Sequence, residues 1–264
     1  MALVTIQPGS GSGPSLFCVH AEAGDVSLYH ALAGHLGPER TVLGLTAPPA
    51  GELAEHERLE QLAARHVRTI RGAQADGPYA IVGECTGGAL AYEIAQQLRA
   101  DGQELALLAL IDAWAPGLPR LAGWMPKPVY RIVHRLRILA FHGENLVRLG
   151  RRERLAYAAS KARRAGGALL GKASTVVDRS AAKASPRAAF RQALAGYRPK
   201  PYDGLLVVLR AVAMPLGSQA PRDLGWGGLV EQVEVETIPG YFTTPISEPG
   251  ARILAEKLSR RLRS

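Results

Sequence analysis

Cys85 sits in the run Gly83-Glu84-Cys85-Thr86-Gly87-Gly88, directly after the apolar stretch YAIVG and directly before a helical pattern. A nucleophile on a tight strand-to-helix turn needs small residues two before and two after it, and Gly83 and Gly87 meet that need. The side chain is then aimed at a helix N-terminus. There the dipole favours a thiolate, and backbone N–H groups can hold an oxyanion. The chemistry this spacing allows is nucleophilic acyl transfer through sulfur. The plainer reading is a free cysteine in a Gly-rich turn, and the strand–helix context weighs against it. Cys18, the other of two cysteines, lies inside an apolar strand and reads as inert core. Two cysteines give no disulfide framework, so a reducing, cytoplasmic setting is expected.

The elements that must carry this turn alternate. Strands are expected at 16–20, 41–45, 79–83 and 105–112, with helices at 26–36, 58–74 and 87–100 between them. In 58–74, Leu59, Leu62, Ala63, Val67 and Ile70 fall on one helical face. Near-continuous apolar strands alternating with helices imply an α/β chain with a mostly parallel, doubly wound sheet. The rhythm stops at 113–200, which show no convincing strand and hold basic helical stretches near 127–142 and 150–170. It resumes at 204–211, 232–238 and a closing helix near 246–262. Residues 1–14 (MALVTIQPGSGSGP) read as a linker, 15–112 and 201–264 as one core, and about 113–200 as a basic helical lid inserted in it. The Ala/Ser/Arg/Lys-rich run 159–188 reads as a mobile part of that insertion.

The 264 residues, 47% of them apolar, suffice for one large core and exclude a disordered chain. No apolar run approaches a membrane span, and no leader pattern stands at the N-terminus. The net charge of +9 is uneven: residues 113–200 hold 19 Lys+Arg against 3 Asp+Glu, and the remainder holds 13 against 20. In 127–154 the basic residues Arg131, Arg135, Arg137, Arg148, Arg151, Arg152 and Arg154 recur with Leu, Ile and Val at helical spacing. The functional reading is a docking face for an acidic partner, and the bland one a solvated helix face. Without aromatic interleaving, the pattern argues against nucleic acid.

The residues now on the page resemble a known family. DGPYAIVGECTGGALAYEIAQQLRADGQELALLALIDAWAP is similar, almost residue by residue, to the elbow, helix and acid-bearing strand of the thioesterase domains that end nonribosomal peptide and polyketide synthases. These domains have the α/β-hydrolase fold. LFCVHAEAGD resembles their first strand and oxyanion loop, and LGWGGLVEQVEVETIPG with the later Glu-Pro their C-terminal part. The resemblance implies that Cys85 takes the nucleophile position and Asp112 the acid position. It also implies that the backbone N–H groups of Glu22 and Thr86 take the oxyanion-hole positions, and that His20 is structural. It implies no bound cofactor and no metal, but a substrate presented on the phosphopantetheine of an acyl or peptidyl carrier protein.

One member of the family set is missing. The histidine turn of the family, Gly-(Asp/Asn)-His-x-Thr, reads here Gly240-Tyr241-Phe242-Thr243-Thr244, so Phe242 holds the histidine position. All seven histidines precede residue 143, so the order nucleophile, acid, histidine cannot be completed. A cysteine needs a base less than a serine does. The expectation is therefore an enzyme that loads an acyl or peptidyl chain onto Cys85 and releases it by cyclisation or acyl transfer rather than hydrolysis. Two alternatives stand beside it: a hydrolytic thioesterase whose base is Glu22, Glu84, His134 or His142, and a non-catalytic carrier-binding domain of the same fold.

Overall fold

In the computed structural model the described residues are 2–11, 13–49, 57–148, 186–219, 221–242 and 244–263. Seven strands form the main sheet in the order β1 (Leu3–Gln7), β3 (Val42–Leu45), β2 (Leu16–Val19), β4 (Tyr79–Glu84), β5 (Leu105–Ile111), β7 (Tyr202–Ala213), β9 (Val230–Tyr241). All pairings are parallel except β1 with β3. The pair β6 (Arg120–Leu121) and β8 (Ser218–Gln219) forms a separate two-stranded ribbon. This is the α/β-hydrolase fold.

Alternation along the buried strands sorts the core into two layers. Phe17, Val19, Ile81 and Leu110 pack under α2 (Leu59–Ala73), α3 (Gly87–Ala100) and α5 (Pro186–Gly196). Leu16, Cys18, Val82 and Ile111 pack under α1 (His30–Leu36) and α6 (Gly250–Arg261). All five residues expected on one face of α2 are buried. Both faces of the sheet are thus covered, and this is why its strands read as unbroken apolar runs.

Three features differ from the sequence expectation. Leu3–Gln7 is not loose linker but an edge strand, antiparallel to β3. The chain between β5 and β7 contains the short strand β6. It also contains α5, a helix that the spacing did not single out. The helix α4 (Lys127–Arg148) runs further than the expected 127–142. The basic stretch 150–170 and most of 159–188 lie outside the described residues.

The topology places the chemistry. The chain leaves β2 towards β3 on one side and returns to β4 on the other, so strand order reverses between β2 and β4. Such a switch point opens a crevice beyond the carboxyl ends of the strands. The β2 end leads to Glu22, the β4 end to Cys85 and the β5 end to Asp112.

Candidate active site

Cys85 has φ 50°, the left-handed region that a side chain enters only under strain. Its N–H donates to Ile111 O at 2.9 Å and its carbonyl accepts from Gly88 N at 3.1 Å, which pins the turn between β5 and α3. The small residues are required by contact. A Cβ on Gly83 would lie 2.6 Å from Gly87 O and 2.7 Å from Ala91 Cβ, and one on Gly87 would lie 2.6 Å from His20 O.

Asp112 also has positive φ, 45°, and is fully buried. Its Oδ1 accepts the Ala211 N–H at 2.6 Å, so the carboxylate is tied to β7. Glu22 and Thr86 come together at the oxyanion-hole positions: the Glu22 N–H donates to Thr86 Oγ1 at 3.1 Å. The Thr86 N–H faces the Cys85 sulfur and alone among its neighbours favours the thiolate.

Cys85, Thr86 and Asp112 open into one cavity of about 670 Å³. Its walls come from Trp114 and Leu118 after β5, from Arg191, Leu194 and Tyr197 on and after α5, and from Phe242. Phe242 is 7% exposed, and its N–H donates to Ala213 O at 2.9 Å. Its ring stacks on Trp114 with centroids 4.4 Å apart and planes at 20°. The turn that presents it is closed by Thr244, whose Oγ1 accepts the Tyr241 N–H at 2.9 Å. The turn thus keeps a tight shape while offering an apolar ring.

The electrostatics correct one expectation. The helix N-terminus was expected to favour a thiolate, yet burial, then the Glu84, Asp112 and Glu22 carboxylates, push the Cys85 thiol far up. Burial of the sulfur is the larger cause and repulsion by the nearby acidic groups adds to it, and together they outweigh the half charge of a helix end. Glu84 itself is buried, and burial with the Asp112 charge beside it raises its carboxyl to about 8. At neutral pH the resting site therefore holds a thiol and a largely protonated Glu84, and Glu84 is poorly suited to be a base.

The lid histidine is better placed than its sequence position suggested. His134 on α4 is half-buried, and its Nδ1 lies 2.8 Å from the Tyr241 hydroxyl. Its ring centroid is 6.1 Å from that of Phe242 and 5.8 Å from that of Tyr130, to which it is almost parallel. Burial lowers its imidazole from the usual value. The His142 side chain lies outside the described residues. Glu22 is taken up by Arg187 and Arg191. Sequence reasoning missed Trp114, Arg191, Tyr197 and Arg198 as cavity residues. Trp114, two residues after Asp112, carried a usable signal; the others reach the site only through the packing of α5.

The thioesterase-domain family profile matches residues 14–125. Enterobactin synthase component F of Escherichia coli (strain K12) is 36% identical over 118 residues, covering 44% of this chain and 9% of the relative. Microperfuranone synthase of Emericella nidulans is 38% identical over 112 residues, 42% of this chain and 12% of the relative. The chain thus spans about a tenth of the length of these relatives. Among solved structures, a four-domain nonribosomal peptide synthetase bound to AMP and glycine superposes with TM-score 0.70 at 24% identity, over 98% of this chain and 20% of that one. The NocB thioesterase domain, in covalent complex with a fluorophosphonate nocardicin G analogue, superposes with TM-score 0.63 at 23% identity over the whole of both chains. Sheet order, elbow and covering helices make this an α/β-hydrolase-fold protein. Over its first half the sequence is similar to the thioesterase domains of nonribosomal peptide and polyketide synthases.

Proposed function

We propose that this domain takes an acyl or peptidyl chain from a carrier-protein phosphopantetheine thioester onto Cys85. It then releases the chain by cyclisation or acyl transfer more than by hydrolysis. The observation that carries the reading is the pairing of a strained Cys85 elbow with Phe242 in the wall of the same cavity; the sequence resemblance aligns Phe242 with the family's histidine. In the loading step the Cys85 Sγ–C bond forms and the pantetheine S–C bond breaks, and the thiol proton of Cys85 ends on the departing thiol. One thioester replaces another, so the step is close to thermoneutral, but the Cys85 thiol, kept neutral by burial, must give up its proton as it attacks, and the departing thiolate is the group that accepts it. The Glu22 and Thr86 N–H groups would receive the tetrahedral oxyanion, after the Glu22 donor leaves Thr86 Oγ1. Release then needs a second nucleophile. Water must lose a proton as it attacks, and the stacked Phe242 and Trp114 rings make that corner dry. An amine or hydroxyl of the chain itself is held at high effective concentration and competes better.

A second reading is a hydrolytic thioesterase with a rewired base. It draws on His134, which stands behind Phe242 with its Nδ1 on Tyr241. Intact-protein mass spectrometry during turnover of one peptidyl thioester separates the readings. A lasting adduct lost with Cys85→Ala, and a cyclic or transferred product, supports the first. Free acid as the main product, falling in His134→Phe, supports the second. Carrier binding with no adduct on any thioester would leave a non-catalytic carrier-binding domain.

A further inference from the structure

The mouth of the Cys85 cavity is cationic. Arg191 on α5 and Arg198 just beyond it line the cavity, and Arg187 stands one helical turn before Arg191. Among the described residues a single carboxylate, that of Glu22, answers two of them. Glu22 accepts from Arg187 Nη2 at 2.7 Å and Nε at 3.1 Å, and from Arg191 Nε at 2.6 Å and Nη2 at 3.0 Å. Arg198 donates to the backbone carbonyls of Ala195 at 3.3 Å and Tyr197 at 3.0 Å, and among the described residues it meets no carboxylate. Asp112 lies on the cavity floor, fully buried and tied to the Ala211 N–H, so it does not neutralise the opening. Arg187 and Arg191 therefore share one carboxylate, and Arg198 beside them bonds, among the described residues, only to backbone carbonyls, at the edge of an otherwise mostly apolar cavity. Guanidinium forks match the oxygens of carboxylates and phosphates two at a time.

We infer that the cavity mouth is an anion subsite, formed by Arg191 and Arg198 with Arg187 behind them, for a phosphate or carboxylate carried by the substrate. Two sources fit that chemistry once the thioester reading above is granted: the phosphate of the pantetheine arm, or an acidic group on the acyl chain. The charge arrangement itself does not depend on that reading. Glu22 competes with the incoming anion for Arg187 and Arg191. Removing its charge must therefore strengthen anion binding, an effect that a folding defect does not imitate.

The experiment is calorimetric titration of Cys85→Ala protein, which binds without turnover. One probe pair is pantetheine and 4′-phosphopantetheine. The other is the butyric and glutaric amides of N-acetylethylenediamine, which mimic a small thioester with and without a terminal carboxylate. In at least one pair the anionic member should bind about tenfold more tightly at low salt, the size of one charge-assisted contact. The gap should close at ~1 M salt, where the screening length is ~3 Å. It should vanish in Arg191→Gln/Arg198→Gln and widen in Glu22→Gln. A gap in the phosphate pair alone assigns the subsite to the arm, and one in the glutaric pair alone assigns it to the acyl chain. Equal binding within both pairs, or a gap untouched by the double arginine change, overturns the inference. Failure of Cys85 to acylate would sink the thioester reading and leave this measurement standing.

Discussion

The turn after β4 and the turn after β9 both reach the Cys85 cavity, and they hold their shapes by different means. The β4 turn is fixed by what must be absent: glycines at 83 and 87, where a Cβ would strike the backbone of Gly87 and His20. The β9 turn is fixed by what is present, the Thr244 hydroxyl that accepts the Tyr241 N–H at 2.9 Å. Neither device involves the residue at the apex. The backbone under Cys85 and under Phe242 is thus held by neighbouring residues, whatever side chain stands at the apex. The two apices are also electrically unlike. The elbow gathers a thiol and the acidic groups of Glu84, Asp112 and Glu22, whereas the β9 turn offers an aromatic ring stacked on another.

The largest effect should come from breaking the elbow. Cys85→Ala should remove the covalent adduct altogether while circular dichroism shows an intact fold. Cys85→Ser should be nearly as poor, because no histidine stands beside a hydroxyl to activate it. Turnover by Cys85→Ala at the parental rate would mean that the apex is not the nucleophile.

Next comes the other apex. Phe242→His puts an imidazole near Asp112, and a positioned general base is worth roughly 10²–10⁴-fold. The expected outcome is faster release of free acid, with the product ratio moving away from ring or transfer. The Asp112 Oδ1 already holds the Ala211 N–H at 2.6 Å, so the gain should fall at the lower end of that range. A folded variant with unchanged hydrolysis would show that deacylation already uses another base, and His134→Phe would be the next measurement.

The Cys85 turn was readable in the sequence for the same reason the sheet was, whereas Phe242 was singled out only through the family resemblance. β2, β4 and β5 are buried on both faces, so each reads as a short unbroken apolar run, and the turn glycines follow them in register. β1 was not legible. Leu-Val-Thr-Ile-Gln pairs only through one edge of β3 and runs into a Gly/Ser/Pro stretch with linker composition. Nor was α5: its Ala and Arg residues give a weak apolar period, and its ion pairs reach Glu22, 165 and 169 residues away. The protonation state of the elbow was hidden for a third reason. Charge at Cys85 depends on how deeply Glu84 and Asp112 are packed, and residue spacing does not report depth.

That packing gives the third prediction, of moderate size. In the folded protein the Glu84 carboxyl titrates near 8, against about 4.3 when unfolded. The folded state therefore binds more protons across that window, and stability falls as pH rises through it. His20, lowered by burial to about 4, and His66 act in the opposite direction, but only below the free imidazole value of about 6.5. Between pH 6.5 and 8, among the described residues, the Glu84 effect dominates, and the buried Cys18 and Cys85 thiols add to it in the same direction only near the upper end. Over ~1.5 units at ~1.4 kcal/mol each, about 2 kcal/mol of stability should be lost. Denaturant midpoints measured across pH 6.5–8.5 check this, and Glu84→Gln should flatten the slope. A slope unchanged in that variant would place the titrating group elsewhere and leave the elbow less acidic than its geometry implies.

The smallest effect concerns the helix that touches one apex and faces solvent on its other side. α4 turns His134 towards Tyr241 and Phe242, with Arg137 beside the same turn, while Arg131 and Arg135 are exposed next to a stripe of Ile132 at 59%, Leu136 at 59% and Leu139 at 65%. If that outer face docks an acidic carrier, Arg135→Glu should raise KM for a carrier-bound thioester and leave a small soluble thioester untouched. The expected change is only a few-fold, because one exposed ion pair contributes about 0–1 kcal/mol and is screened within ~8 Å at physiological salt. It should fade as salt is added. Arg152, in the basic stretch beyond α4, lies outside the described residues, and its reversal should act the same way if that stretch shares the docking face. The small thioester is the informative control, since His134 is the next residue along. A charge reversal at 135 that slowed both substrates equally would mean that α4 had shifted against the β9 turn. The outer and inner faces of the helix would then be one device rather than two. A loss confined to the carrier substrate, and removed by salt, keeps them separate.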